Sequence, residues 1–377
     1  MDYNKYALEL HKNNKGKITT QLRDSSELNK DKLSAYYTPG VAEVSRVIAE
    51  DPSQLPVYTW TNNLVAVISD GSAVLGLGNI GAKASMPVME GKALLFKHFA
   101  GIDSVPIVLD VHSVDEIVAT VKAIAPSFGA INLEDIAAPQ CFAVEERLKA
   151  ELDIPVFHDD QHGTAVVVLS GLINAAKVTK RSLSDSKVVI IGAGAAGTAI
   201  TKLLHKYGIT NIISVDSKGA LGSHRDDLND EKKSLLEFVN KDASGSLEDV
   251  IKGADIFIGV SKPGLLTQDM VKSMNQDPII FALSNPTPEI MPDEAHQAGA
   301  AIVATGRSDF PNQVNNAIAF PGIFRGALDN GVTKITDDHK LAAAEAIAGL
   351  VENPTAGEII PSVFEERLVP TIANVIR

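Results

Sequence analysis

Two pairs of adjacent carboxylates are the residues of this sequence best suited to chemistry. Asp159 and Asp160 stand in His158-Asp159-Asp160-Gln161-His162-Gly163-Thr164-Ala165, directly after the apolar dipeptide Val156-Phe157. Glu134 and Asp135 follow another apolar run, Ala130-Ile131-Asn132-Leu133, about 25 residues earlier. Two such pairs, each closing a strand, suit oxygen ligands converging on one hard divalent cation. They would equally serve as solvated loop acids, and spacing alone leaves both readings open.

A second constellation is more specific. The β-branched run 187–191 leads into Gly192-Ala193-Gly194-Ala195-Ala196-Gly197, then a helix to about Lys206 and a strand closing at Asp216. This is G-x-G-x-x-G in strand-turn-helix context, with an acid about 20 residues further on. The first glycine makes the turn, the second admits a pyrophosphate, and the third packs helix on strand. Helix N-terminal amides then face the phosphates. Asp216 is expected to accept from the ribose hydroxyls and so to favour NAD, with NADP still open because Lys218 follows closely. Further turns after the strands near 255–260, 278–283 and 300–304 point into the same crevice. Asn285 lies in one of them, its amide able to donate and accept in the cofactor crevice. Asn315 reads as a turn cap.

The elements that must carry these residues alternate along the chain. Strands are expected at 64–69, 105–111, 130–133 and from 156. Helices are expected at 3–11, 41–50, 92–99 and 114–125, so the first 160 residues form an α/β unit. Lys92 is thereby placed at a helix N-terminus. The stretch 71–81 is glycine-rich and suits close backbone approach to a ligand. Residues 164–178 are apolar nearly all round, as in a helix buried where two domains meet. The expected fold is α/β with two domains: 1–160 for substrate and metal, and 161–377 as a doubly wound parallel-sheet nucleotide domain.

Composition narrows the partners. The 377 residues carry a formal charge of −13 and 45% apolar residues, without a basic run. Nucleic acid and anionic membrane surfaces are therefore unlikely partners. The single cysteine, Cys141, fits a reducing compartment and reads as packing. The N-terminus lacks an apolar core for a signal peptide. A cytoplasmic location is expected.

Taken together, these stretches resemble the short form of the malic enzyme family over nearly the whole chain. The resemblance rests on YTPGVA at 37–42, SDGSAVLGLGNIG at 69–81, MEGKALLF at 89–96, LED at 133–135, HDDQHGTA at 158–165, GAGAAG at 192–197, LSNPT at 283–287, and NQVNN through FPG at 312–322. It implies oxidative decarboxylation of L-malate to pyruvate and CO₂ with NAD or NADP and Mg²⁺ or Mn²⁺. A metal-dependent oxaloacetate decarboxylase on the same scaffold is the alternative. Carried over residue by residue, the metal ligands fall on Glu134, Asp135 and Asp160. The general base falls on Lys92, the general acid on Tyr37, a supporting carboxylate on Asp159, and substrate contacts on Asn285 and Asn316. Tyr36 and His162 are read as structural. The arginine that longer members carry after Asp-Gly is missing here, where Asp70-Gly71-Ser72 stands; Lys83 and Arg307 are candidate replacements. The polar N-terminal segment has no evident core to join, and a homodimer is expected.

Overall fold

A computed structural model describes residues 3–74 and 76–377. Met1 and Asp2, where the sequence reading begins, and Leu75 of the glycine-rich stretch lie outside the described residues.

Four short apolar runs form the first sheet: β1 (Leu64–Ser69), β2 (Asp103–Val108), β3 (Ala130–Leu133) and β4 (Val156–His158). Their order is β2-β1-β3-β4 and every pairing is parallel. Buried parallel strands read as unbroken apolar runs, and β1, β3 and β4 are buried throughout. Because the strands run parallel, Asp70, Glu134-Asp135 and Asp159-Asp160 all emerge at one edge of this sheet.

The second sheet comprises β5 (Val188–Ile191), β6 (Ile212–Asp216), β7 (Gly219–Ala220), β8 (Ile256–Gly259), β9 (Ile279–Ala282) and β10 (Ile302–Thr305). Their order is β10-β9-β8-β5-β6-β7, parallel except for the β6–β7 hairpin. The chain runs outward from β5 to β7, then returns to lay β8 on the other flank of β5. That reversal is the switch point at which open α/β sheets bind ligands.

The long helix Asp159–Thr179 joins the two sheets and is buried over most of its length. It begins at Asp159, five residues before the expected Thr164. Two carboxylates in a first turn are favoured by the helix dipole, which allows the helix to start on the acids themselves. The Lys92 helix also starts earlier than expected, running Ala82–Ala100. Lys92 is therefore mid-helix, and its expected place at an N-terminus is corrected. Gly91 and Pro87 are carried inside this helix because Ser85, Met89, Lys92 and Phe96 recur at helical spacing on a buried face.

An aromatic cluster fixes the Lys92 helix against the end of the chain. Phe96 meets Phe320 and Phe324 edge-on, at 4.7 and 5.1 Å between ring centroids, and Phe157 of β4 meets Phe324 at 5.8 Å. Such pairs stabilise by about 0.5–1.5 kcal/mol beyond area burial. By contrast, the helices Tyr3–Asn14, Lys30–Tyr36 and Val41–Glu50 bury none of their residues.

Candidate active site

At the carboxyl edge of the first sheet the acids meet a lysine. The Lys92 ammonium donates to Asp159 Oδ2 at 2.5 Å and approaches Glu134 Oε1 at 2.9 Å. It also lies 4.4 Å from the centroid of the Phe320 ring. Its donors are thus divided between two carboxylates and an aromatic face, out of bulk water. Burial lowers its pKa, but the carboxylates of Asp159, Glu134 and Asp160 outweigh that and hold it above the usual lysine range. The helix N-terminus expected beside Lys92 is absent, and the surrounding carboxylates favour its ammonium form.

Glu134, Asp135 and Asp160 converge, each with a ligand oxygen within 4.8 Å of the others. Asn132 donates to the second oxygen of Glu134 at 3.0 Å, and the Asp135 main-chain N–H donates to Asp160 Oδ2 at 2.8 Å. Asp135 sits at φ 53°, in the left-handed region where a side chain is disfavoured, and so is turned off the end of β3. Its Oδ2 is buried without a hydrogen-bond partner. Burial first, then the charges of Asp160 and Glu134, push the Asp135 carboxyl up to about 8. Asp160 is pushed up to about 6 by burial and by Asp159. Glu134 is raised too, by burial and Asp160, against the pull of Lys92. Three crowded carboxylates with an orphan oxygen fit a divalent cation, and the all-oxygen donor set suits Mg²⁺ or Mn²⁺.

The turn after β1 backs this cluster. Ala73 N–H donates to the Asp135 carbonyl at 2.9 Å, and Ala137 N–H to Ser72 Oγ at 2.8 Å. Gly71 lies at φ 70°, and a Cβ there would stand 2.4 Å from the Gly81 carbonyl oxygen, so this loop closes only on glycine. Gly76 in turn lies against Asn285-Pro286 from the second sheet. Asn316 packs on Gly163, one turn beyond Asp159 and Asp160. Asn315 instead caps its short helix through Ala317 N–H at 2.9 Å.

The glycine turn after β5 divides its three roles in the geometry. A Cβ on Gly192 would meet the Val260 carbonyl oxygen at 2.6 Å, and one on Gly197 the Gly192 oxygen at 1.7 Å, whereas Gly194 faces open space. The helix Ala195–Lys206 starts there without a side-chain cap, leaving its first N–H groups for phosphate oxygens. Ala193, Ala195 and Ala196 are the partly buried residues between these glycines. Asp216 ends β6, but its carboxylate is already engaged. Arg225 grips both oxygens, at 2.7 and 3.2 Å, and Lys232 donates at 2.6 Å. Against the effect of burial, Arg225 and Lys232 hold this carboxyl down to about 2.

Tyr37 is not joined to the lysine and carboxylates. Its side chain is 69% exposed, and among the described residues no hydrogen bond reaches its hydroxyl. Tyr36 donates to Asp24 at 3.0 Å. Lys83 is exposed near the start of the Lys92 helix. Arg307 pairs with Asp309 and reaches the Pro286 carbonyl oxygen at 3.3 Å. Cys141 is buried, and burial pushes its thiol up to about 12.

Three residues around these sites lie outside the motifs of the sequence, Arg225, Lys232 and Glu145, whereas Phe320 stands in the FPG of 320–322. Glu145 was detectable, because Cys141, Val144, Glu145 and Leu148 form the buried stripe of one helix, Gln140–Glu151. Arg225 and Lys232 carry no local signal.

Family models match both parts of the chain: "malic enzyme, N-terminal domain" over residues 11–149 and "malic enzyme, NAD binding domain" over residues 161–375. The bifunctional malic/malolactic enzyme of Bacillus subtilis is 56% identical, over 100% of this chain and 92% of its own. The NADP-dependent malic enzyme of Halomonas elongata is 48% identical, over 94% of this chain and 84% of its own. The crystal structure of an NAD-dependent malic enzyme from Thermotoga maritima superposes with a TM-score of 0.95 at 50% identity, covering 98% of each chain.

Proposed function

Because this chain belongs to the malic enzyme family, we propose that it oxidises and decarboxylates L-malate to pyruvate and CO₂, reducing NAD or NADP. The observation that carries this reading is the Lys92 ammonium held between Asp159 and Glu134, directly beside the three-carboxylate cluster.

Glu134, Asp135 and Asp160 are the residues that would hold Mg²⁺ or Mn²⁺. When bound, the ion supplies charge stabilisation for the oxygen at malate C2. Lys92 is the base that would take the C2 hydroxyl proton, and bound NAD or NADP would supply the hydride acceptor. To act so it must first give up its own proton. Asp159, 2.5 Å away, orients the amine, and a bound divalent cation would offset the carboxylate charge that holds Lys92 protonated. Asn285, beside Gly76, and Asn316, beside Gly163, would supply amides for the substrate carboxylates, Asn285 also serving the cofactor.

Tyr37 is the proposed proton donor to C3 of the enolate. It belongs to an N-terminal segment whose helices bury nothing and which exposes Leu8, Leu22, Leu33, Tyr36 and Tyr37. Contiguous exposed apolar side chains mark an interface, and we assign that face to a homodimer. Dimer formation would place Tyr37 against a catalytic centre. Among the described residues no helix is long and apolar enough to cross a membrane, and we place the enzyme in the cytoplasm.

The test is malate-dependent absorbance at 340 nm with NAD and with NADP, in Mn²⁺ and in EDTA. Reduction that requires the metal supports the reading. Release of CO₂ from oxaloacetate without nicotinamide reduction from malate would replace it with the decarboxylase.

A further inference from the structure

Glu145 lies behind the acidic turn, on the helix Gln140–Glu151, and it is buried. Four donors converge on its carboxylate. Oε1 accepts from the His158 main-chain N–H at 3.0 Å and lies 2.6 Å from the Lys149 ammonium. Oε2 takes Gln161 Nε2 at 3.3 Å and His162 Nε2 at 2.8 Å. Burial alone would raise this carboxyl; His162 and Lys149 keep it well below the ordinary range.

Three of these donors belong to one short stretch, the start of the long helix. His158 is its N-cap and makes no side-chain cap bond. Asp159 and Asp160 are the first two helical residues, and Gln161 is the third. In an ordinary capping box, the Glu or Gln at that third position reaches back to the N-cap N–H. Here Gln161 turns away to Glu145, and Glu145 itself takes the His158 N–H. The cap of this helix is therefore supplied by a different helix.

The two residues held between His158 and Gln161 must point in different directions. Asp159 reaches Lys92 at 2.5 Å, while Asp160 turns to Asp135 N–H at 2.8 Å. Neither contact fixes the backbone of the turn itself. The anchored groups on either side, His158 N–H and the Gln161 and His162 side chains, do so.

We propose that Glu145 is a positioning residue for the divalent-cation site, clamping the turn that presents Asp159 and Asp160. This rests on the reading that Glu134, Asp135 and Asp160 hold the cation. Groups that orient metal ligands from behind typically account for about 10–100-fold in metal affinity. Glu145→Gln keeps the shape but loses the charge and cannot accept from all four donors.

The experiment titrates Mn²⁺ into the metal-free protein by electron paramagnetic resonance, and separately measures NADH binding by fluorescence. Wild type, Asp160→Asn and Glu145→Gln are compared. The expected result is a Mn²⁺ Kd raised about 10-fold or more in Glu145→Gln, with the NADH Kd unchanged within about twofold. A general loss of structure would instead weaken both. If wild type and Asp160→Asn bind Mn²⁺ alike, or wild type binds none, the cation reading fails and the proposal with it. If Asp160→Asn abolishes binding while Glu145→Gln matches wild type within twofold, only the role of Glu145 is overturned. Should Glu145→Gln not fold, Glu145→Asp decides on the same two Kd values, since it keeps the charge but withdraws from His158 N–H. Mn²⁺ affinity equal to wild type in that variant also overturns the proposal.

Discussion

Lys92 and Asp159 meet at 2.5 Å across 67 residues of chain, both removed from solvent, with Glu134 as the second carboxylate on the same ammonium. The pair links the middle of one helix to the first residue of another. It makes the catalytic reading and the stability of the site depend on the same side chain.

Replacing Lys92 with Met is therefore expected to have two separable effects. Loss of a general base lowers kcat by about 10²–10⁴-fold. Stranding Asp159 and Glu134 without their cation is expected to cost about 3–5 kcal/mol, as for other broken buried pairs. Mn²⁺ should return part of that stability, because it supplies positive charge to Glu134. Thermal unfolding in EDTA and in Mn²⁺, alongside steady-state rates, checks both. Near-normal turnover in Lys92→Met would remove it as the base.

Tyr37→Phe is expected to abolish overall turnover while leaving measurable reduction of added oxaloacetate, because the hydride step does not need the C3 proton. Equal loss of every partial reaction would assign Tyr37 a structural role. Its exposure allows a further check. Tyr37→Phe and Lys92→Met subunits, inactive alone, should regain activity when refolded together if the tyrosine serves a neighbouring chain. No recovery would confine it to its own.

What the sequence disclosed follows from how local each interaction is. GAGAAG and its flanking strand announce part of their own geometry, because Gly197 is required by the Gly192 carbonyl five residues earlier, whereas Gly192 is required by the distant Val260. The convergence of Glu134, Asp135 and Asp160 is likewise set by two neighbouring parallel strands, β3 and β4. The Lys92 helix starts at Ala82, ten residues before its expected start, and runs through Pro87 and Gly91. The cost of a helical glycine is only about 1 kcal/mol, which burial of Met89 and Phe96 offsets. Arg225 on Asp216, and Phe320 on Lys92, are contacts across a loop and across 228 residues of the chain. Nothing in a local pattern announces them. The surroundings of Tyr37 depend on surface that a single chain leaves exposed.

Cofactor choice is expected to turn on the Asp216 cluster. Asp216 favours ribose hydroxyls, whereas Arg225 and Lys232 offer cations to a 2′-phosphate. Lys232→Glu should lower kcat/KM for NADP by about tenfold, the loss of one charge-assisted contact, and leave NAD nearly unchanged. An unaltered ratio of the two would exclude Lys232 from the choice.

The same cluster has a pH signature. The folded-state pKa of Asp216, about 2, lies below the ordinary carboxylate value of 3.8. Its contribution to stability is therefore complete above the ordinary value and is lost as pH falls toward 2. Asp216→Asn should be less stable than wild type at pH 5–7 and converge with it in the acid range. Denaturant midpoints at several pH values measure this, and a difference independent of pH would contradict the ion pairing.

Gly163 provides the most local test of the acidic turn. A Cβ at this helical position would stand 2.0 Å from Asp159 Oδ1 and 3.1 Å from the Asn316 Cβ. In an exposed helix, Gly→Ala stabilises by about 1 kcal/mol. Here the added methyl must instead push Asp159 away from Lys92, or move the whole first turn. Gly163→Ala is expected to fold, with an unfolding midpoint near that of wild type because the helix gain and the clash oppose each other. Its kcat should fall by about 10²-fold, the scale on which a misplacement of about 1 Å costs rate. Circular dichroism melting and malate oxidation rates separate these outcomes. A Gly163→Ala enzyme with full activity would show that the Lys92–Asp159 geometry is not what sets the rate.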